Sequence, residues 1–280
     1  NTIAIDDYGN IYIAGSFGNT VDFDPGSGIY NLTAQGGVDI FISKLDNSGN
    51  FIWAKRIGAS GTDAVRSIAI DNNGNSYATG IFSGTVDFDP GSGTSNLIAT
   101  FSEVFILKLD ELGNFSWVKQ IGSAGNMSEA NSIAIDLSNN VYTTGIFYGT
   151  ADFDPGIGTF YLTTTGNGPA DAFVSKLDSS GMFVWAKQLG GPNYEGSNGL
   201  ALDNDANVYL TGFFFGTADF DPGPLVYNLM DNGNADVYIT KLDSSGAFIW
   251  AKQMGGTAYA EGAGIAIGVN NSVQTTGVFS

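Results

Sequence analysis

One unit of about 65 residues recurs through the whole chain, and any fold must place its copies in equivalent positions. Ile3-Ala-Ile-Asp6 returns as Ile68-Ala-Ile-Asp71, Ile133-Ala-Ile-Asp136, Leu200-Ala-Leu-Asp203 and Ile265-Ala-Ile-Gly268, at spacings of 65, 65, 67 and 65 residues. Other motifs keep step. Val-Asp-Phe-Asp-Pro-Gly occupies 21–26 and 86–91, Ala-Asp-Phe-Asp-Pro-Gly occupies 151–156 and 218–223, and Trp53, Trp117, Trp185 and Trp250 recur. The units are 3–67, 68–132, 133–199 and 200–264, with a partial fifth at 265–280.

Each unit reads as four strands, illustrated by 67–71, 75–82, 104–110 and 114–121, none with helical periodicity. Short turns such as Asp71-Asn-Asn-Gly74-Asn and Asp110-Glu-Leu-Gly113-Asn join the first pair and the last pair, with glycine supplying a positive φ and aspartate bonding nearby amides. Runs such as Ile133-Ala134-Ile135 and Phe183-Val184-Trp185-Ala186 do not alternate, so both faces of each sheet are apolar and the sheets must stack. The expected fold is all-β: a β-propeller of four-stranded antiparallel blades, four complete and a fifth partial. A row of separate β-sandwiches fits less well, because the unit is short for one and no linkers intervene. The chain is read as a single propeller domain, or part of a larger ring whose remaining blades lie in flanking sequence.

These motifs resemble the bacterial SBBP-type β-propeller repeats, which are similar in pattern to NHL repeats. The resemblance rests on Ile68-Ala-Ile-Asp-Asn-Asn-Gly-Asn-Ser-Tyr-Ala-Thr-Gly80 and on Ala172-Phe-Val-Ser-Lys-Leu-Asp-Ser-Ser-Gly-Met-Phe-Val-Trp-Ala-Lys187. It implies a large secreted or surface protein, often exported by type IX secretion, and supplies no catalytic residue. It also implies that the first strand of each unit is innermost, where Ala4, Ala69, Ala134 and Ala201 suit a narrow centre, and that the tryptophan strand is outermost. The chain departs from the short family pattern by inserting the Asp-Phe-Asp-Pro-Gly segment between the second and third strands. The fifth unit carries Gly268, Asn271 and Gln274 in place of the usual Asp, Gly and Tyr.

Charge and composition narrow the function. A formal net charge of −18 repels phosphate backbones and anionic membranes over a Debye length of about 8 Å, so nucleic acid is excluded as a partner. No apolar run approaches a membrane span, and no membrane insertion is expected. Cysteine and histidine are absent, which removes disulfides, thiolate metal sites and the commonest general base. The beginning at Asn1 reads as the interior of a longer precursor.

Connection geometry gathers the acids on one loop face. They are the pairs Asp22 and Asp24, Asp87 and Asp89, Asp152 and Asp154, and Asp219 and Asp221; the acids before the third strands (Asp39, Glu103, Asp171, Asp236); and Asp63, Glu129, Glu195 and Glu261 before the first strands. Two carboxylates two residues apart, with loop carbonyls, are oxygen donors of the kind calcium takes. The same spacing followed by proline equally fits a turn in which Asp accepts backbone amides. A glycosidase needs two carboxylates in unlike environments, which near-equivalent repeats do not supply. Asp7, Glu111, Asp205 and Asp231 break the pattern and read as solvated charges in turns. Lys44, Lys108, Lys176, Lys241 and Lys55, Lys119, Lys187, Lys252 fill two repeated slots, where they pair with acids or cover aromatic surface, leaving only Arg56 and Arg66 outside. The tryptophans read as core between blades rather than sugar platforms.

The resulting expectation is a non-enzymatic extracellular or bacterial cell-surface module that binds a protein or polysaccharide through its acidic loop face, with no cofactor. Two alternatives stand beside it: a calcium-stabilised structural spacer of a large adhesin-like protein, and a carbohydrate-active enzyme.

Overall fold

The computed structural model describes residues 2–61, 63–122, 126–166 and 169–280. Blade one holds β1 (Thr2–Ile5), β2 (Ile11–Phe17), β5 (Asp39–Leu45) and β6 (Phe51–Ile57), with β3 (Thr20–Asp22) and β4 (Asn31–Thr33) forming a hairpin in the insertion. Blade two holds β7 (Ala64–Ile70), β8 (Ser76–Asp87), β9 (Asn96–Leu109) and β10 (Phe115–Ile121). Blade three holds β11 (Ser128–Ile135), β12 (Val141–Phe147), β15 (Asp171–Leu177) and β16 (Phe183–Leu189), with the hairpin β13 (Thr150–Asp152) and β14 (Tyr161–Thr163). Blade four holds β17 (Glu195–Leu202), β18 (Val208–Phe214), β21 (Asp236–Leu242) and β22 (Phe248–Met254), with β19 (Thr217–Asp219) and β20 (Asn228–Met230). A fifth blade is represented by β23 (Ala260–Ile267) and β24 (Val273–Phe279). The architecture is that of β-propeller blades. In each complete blade the strands pair in chain order, so the first strand and the tryptophan strand are the two edges.

Two compact units, Asn1–Ile133 and Ala134–Ser280, divide the chain. The first has a core of Tyr12, Ile40, Ile42, Ile57, Ile68, Phe82, Phe88 and Phe105. The second is built on Tyr142, Val174, Leu200, Leu210, Phe214, Phe220 and Tyr238.

The first turn of each blade explains the repeated Asp-x-x-Gly-Asn. Asp71 Oδ1 accepts the amides of Asn73 (2.9 Å) and Asn75 (3.0 Å), while Oδ2 accepts from the Asn75 side chain (2.8 Å) and the Tyr77 hydroxyl (3.1 Å). Gly74 closes the turn at φ +78°. In blade four Ala206 occupies that position at φ +58°, a conformation that costs a side chain roughly 1 kcal/mol or more.

Strand register accounts for the first lysine slot. Tyr12 lies opposite Lys44, which lies opposite Trp53, so the three side chains share one face of the sheet. The ammonium of Lys44 sits 4.8 Å from the Tyr12 ring centre, and the Tyr12 and Trp53 rings meet edge-on at 6.1 Å. The same stack is built by Lys108, Tyr77 and Trp117, by Lys176, Tyr142 and Trp185, and by Lys241, Tyr209 and Trp250. Lys176 and Lys241 also approach Asp136 and Asp203. Covering aromatic surface is therefore the shared role of these lysines. The indole N–H of Trp53 donates to the Glu111 carbonyl of the next blade (3.2 Å), and that of Trp185 to the Ser244 carbonyl (3.3 Å). Such indoles clasp neighbouring blades.

The insertion is anchored by the phenylalanine between its two aspartates. Phe88, Phe153 and Phe220 are fully buried, because alternation in the extended segment turns the ring inward and both carboxylates outward. Phe88 meets Phe82 edge-on at 5.3 Å and Phe105 at 5.0 Å, and Phe153 and Phe220 repeat this geometry. In blade two, the strands expected at 75–82 and 104–110 run on through the insertion as one long ribbon, β8 with β9. The ladder is interrupted once, by a bulge between the pairs Phe82–Glu103 and Gly84–Ala99.

Candidate functional site

Antiparallel order fixes which connections share an end of a blade. The turns after the first and third strands lie at one end, while the insertion and the link to the next blade leave from the other. The three sets of acids stand at this loop end, yet the structure gives them different environments.

The paired aspartates hold their own loops. Asp22 Oδ1 accepts the amides of Asp24 (3.1 Å) and Tyr30 (2.8 Å), and Asp24 Oδ1 accepts that of Gly26 (2.8 Å). Asp87 does the same with Asp89 and Ser95, and Asp89 with Gly91. Asp152 binds the amides of Asp154 and Phe160, and Asp154 that of Gly156. Asp219 binds those of Asp221 and Tyr227, and Asp221 that of Gly223. The first carboxylate of each pair thus closes a loop eight residues on, and the amide of Tyr30 draws the Asp22 carboxyl below its usual range. Among the described residues, no group of three or more Asp, Glu, His or Cys side chains is placed to hold a metal ion.

The acids heading the third strands are buried. Asp39 bonds the Arg56 guanidinium at 2.8 Å and the Gln35 amide at 2.9 Å. Glu103, Asp171 and Asp236 occupy the same slot and take a glutamine amide instead, from Gln120, Gln188 and Gln253. Burial pushes the Glu103 and Asp171 carboxyls up. Each of the four packs on a glycine that follows the tryptophan strand (Gly58, Gly122, Gly190, Gly255), where an added Cβ would fall within 3 Å of the carboxyl group.

The acids before the first strands do not form one set, which corrects the sequence expectation. Asp63 and Glu195 lie five residues before Ile68 and Leu200, whereas Glu129 and Glu261 lie four before Ile133 and Ile265. A shift of one residue turns a strand side chain to the opposite face. Asp63 and Glu195 are accordingly buried, while Glu129 reaches Arg66 (4.0 Å) and Glu261 accepts from Asn198 (2.7 Å) and from Tyr259. Glu195 has no accessible surface; its Oε2 accepts the Gly191 amide (2.9 Å), and Oε1 has no partner among the described residues. Burial, reinforced by the neighbouring Asp171, pushes its carboxyl up to about 8. Asp63 is raised by burial too, again beside a third-strand acid, Asp39. Asp231, expected as a solvated charge, instead accepts the Gly216 amide at 2.7 Å and helps close the blade-four insertion.

The outer surface of the insertions is apolar as well as acidic. Ile29 in blade one, Ile157 and Tyr161 in blade three, and Leu225, Val226 and Met230 in blade four are exposed. The aromatic residue after each loop packs on the first residue of the tryptophan strand, Tyr30 on Phe51 (4.8 Å), Phe160 on Phe183 (4.9 Å) and Tyr227 on Phe248 (4.8 Å), which steadies these loops.

A model of the SBBP beta-propeller repeat matches residues 52–80, 116–145 and 184–212. Each match begins in a tryptophan strand and ends in the second strand of the following blade, so every insertion falls outside it. An uncharacterised WD repeat-containing protein of Acanthamoeba polyphaga mimivirus is 25% identical over 283 residues, covering 85% of this chain and 20% of that protein. Regulatory protein FlaEY of Caulobacter vibrioides is 26% identical over 110 residues, covering 39% of this chain and 12% of that protein. The chain thus spans no more than about a fifth of the relatives it matches. The crystal structure of a protein of unknown function from Bacteroides caccae is 11% identical and covers 87% of this chain and 93% of its own, with a TM-score of 0.24.

Proposed function

From a chain built of SBBP β-propeller repeats, we propose a non-enzymatic interaction module that engages a protein partner through the loop ends of its blades. The observation that carries this reading is the insertion. It lies outside the repeat that the family shares, is pinned by a buried phenylalanine, and presents exposed apolar side chains beside carboxylates. A rigid apolar fringe with a charged surround is the composition of a protein-binding surface. The net charge of −18 selects a partner with a basic face and speeds the encounter. A relative described by WD repeats accords with an interaction role. The setting we propose is the outside of the cell or the cell surface, as the repeat resemblance implies. No helix among the described residues is long and apolar enough to cross a membrane.

The non-enzymatic reading is supported by the position of the carboxyl whose proton affinity is most strongly raised among the described residues, since Glu195 has no access to a substrate. The paired aspartates are proposed as loop staples rather than calcium ligands, because each Oδ1 is already taken by backbone amides. The test is partner capture with the purified chain and with a variant carrying Ile157→Ser, Val226→Ser and Met230→Ser, all exposed. A partner retained by the wild type and lost by a variant of unchanged melting temperature supports the reading. Equal capture by both removes the loop ends as the interface.

A further inference from the structure

Position 56 is where one blade departs from the others. The slot beside the buried third-strand acid holds Gln120, Gln188 and Gln253 in blades two, three and four, but Arg56 in blade one. A neutral glutamine is sufficient to bond that acid, so the charge at position 56 exceeds what the scaffold requires. Arg56 uses one terminal nitrogen, Nη1, for both Asp39 (2.8 Å) and the Gly58 carbonyl (3.2 Å). Among the described residues, Nη2 finds no protein acceptor, and the side chain remains 24% exposed.

The surface that Arg56 faces is a cleft of ≈ 310 Å³ between the insertion of blade one and that of blade two. Tyr30 and Gln35 line it from blade one, Asp87 and Asp89 from blade two, and Ala54, Arg56 and Gly58 form its floor, while the Lys55 side chain turns to the other face of the strand and lies beside Gly113. The floor belongs to β6, an edge strand with no strand paired beyond it. The walls are fixed in advance: the Tyr30 ring rests on Phe51 at 4.8 Å, and Asp87 and Asp89 are held through Oδ1 by the amides of Asp89, Ser95 and Gly91. Such a cleft falls at the small end of the range for ligand pockets, with its polar groups positioned before anything binds.

Its mixed charge selects the ligand. An anion meets Asp87 and Asp89, and a cation meets the Arg56 guanidinium, so neither charge finds a uniformly opposite surround. A hydroxyl group donates to a carboxylate and accepts from a guanidinium at once. Tyr30 adds an aromatic face, 39% exposed, on which the C–H side of a ring can lie. We propose that the cleft between the first two blades binds an uncharged, polyhydroxylated ligand, one or two rings of a neutral glycan, with Arg56 as its specificity-determining residue. This site lies among the same loop-end insertions as the protein interface proposed above, does not use its apolar residues Ile157, Val226 and Met230, and is expected only where arginine replaces glutamine.

The test is titration of the full chain with neutral gluco-, manno- and galacto-oligosaccharides by isothermal calorimetry and saturation-transfer NMR. Uronate oligosaccharides and a short peptide serve as comparators. At least one neutral oligosaccharide is expected to bind. Arg56→Gln, which installs the residue the other blades already use, is expected to weaken that binding about tenfold or more while leaving the fold intact, the usual cost of a lost hydrogen bond to a charged group. Tyr30→Ala is expected to weaken it similarly, and Phe160→Ala, the matching change in blade three, is expected to leave it unchanged. No binding by any neutral oligosaccharide at millimolar concentration overturns the proposal. So does binding by the uronate or the peptide alone, or equal binding by wild type and Arg56→Gln. Capture of a protein partner sensitive to Ile157, Val226 and Met230 but not to Arg56 would leave the protein-interaction reading standing when the glycan site fails.

Discussion

Replacing Glu195 by Gln should flatten the pH dependence of stability. A carboxyl at about 8 in the folded protein and at its ordinary 4.5 when unfolded binds a proton in the native state across that whole window, while the unfolded chain does not. The native state is therefore favoured at low pH and loses ~1.4 kcal/mol per unit as pH rises through the window, or about 5 kcal/mol across it. Asp171, Asp63 and Glu103 are raised by burial as well and steepen the decline. At the acid end the sign reverses. Asp22, Asp46 and Asp243 are held below 3.8 by hydrogen bonds from their own turns, so their contribution is lost as pH falls through those lowered values. The stability maximum should lie at about pH 4–5, below the common range. Glutamine keeps the acceptor for the Gly191 amide and does not titrate. Thermal melts from pH 5 to 7.5 should therefore fall more steeply for wild type than for Glu195→Gln, with the gap between the curves growing by ~3 kcal/mol, roughly 10 °C at this size. Comparing slopes rather than levels removes any constant cost of the amide. Parallel curves, or a Glu195 side-chain carbon resonance titrating below pH 5.5, would refute the reasoning.

Two further predictions concern the turns. Ala206→Gly relieves the positive φ of the blade-four turn, where Gly74 stands in blade two, and should raise stability by about 1 kcal/mol in urea unfolding; a loss would mean that Ala206 packs in a way that outweighs its backbone. Asp152→Ala removes the acceptor of two loop amides and should cost about 1–3 kcal/mol, while wild type should melt at the same temperature in EDTA and in millimolar calcium. A rise of many degrees with calcium would make the aspartate loops metal sites and bring back the spacer reading.

The scaffold was legible because repetition forces it. Five copies of one pattern, turn residues at fixed offsets and strands apolar on both faces leave little beside stacked four-stranded blades. What could not be read were relations that exist only across strands. Tyr12, Lys44 and Trp53 are far apart in the chain and meet through register alone, so the sequence leaves open whether the lysine slot pairs with acids or covers aromatic surface, and which ring it covers. Asp39 and Asp171 stand beside Asp22 and Asp152 at the loop end, yet each begins a strand and is buried against the glycine that follows its own blade's tryptophan strand, Gly58 and Gly190. The sequence does carry the signal that divides the remaining acids: counting back from Ile68, Ile133, Leu200 and Ile265 separates Asp63 and Glu195 from Glu129 and Glu261 by a single position, which in a strand is a change of face.

Repetition also changes what counts as evidence for function. A charged or aromatic residue present in every unit has the same neighbours in every unit, and here those neighbours explain it: Lys44 covers Tyr12, the Asp of each first turn binds its own amides, and Phe88 pins its insertion. A shared residue that the scaffold already uses is a poor guide to a ligand. A departure from the pattern carries more weight when it adds chemistry the scaffold does without. Ala206 is a departure that adds only strain, whereas Arg56 adds a charge, faces a cleft and leaves a nitrogen free of acceptors among the described residues. If a near-symmetric propeller has one specialised blade, that substitution is where its specificity should be sought.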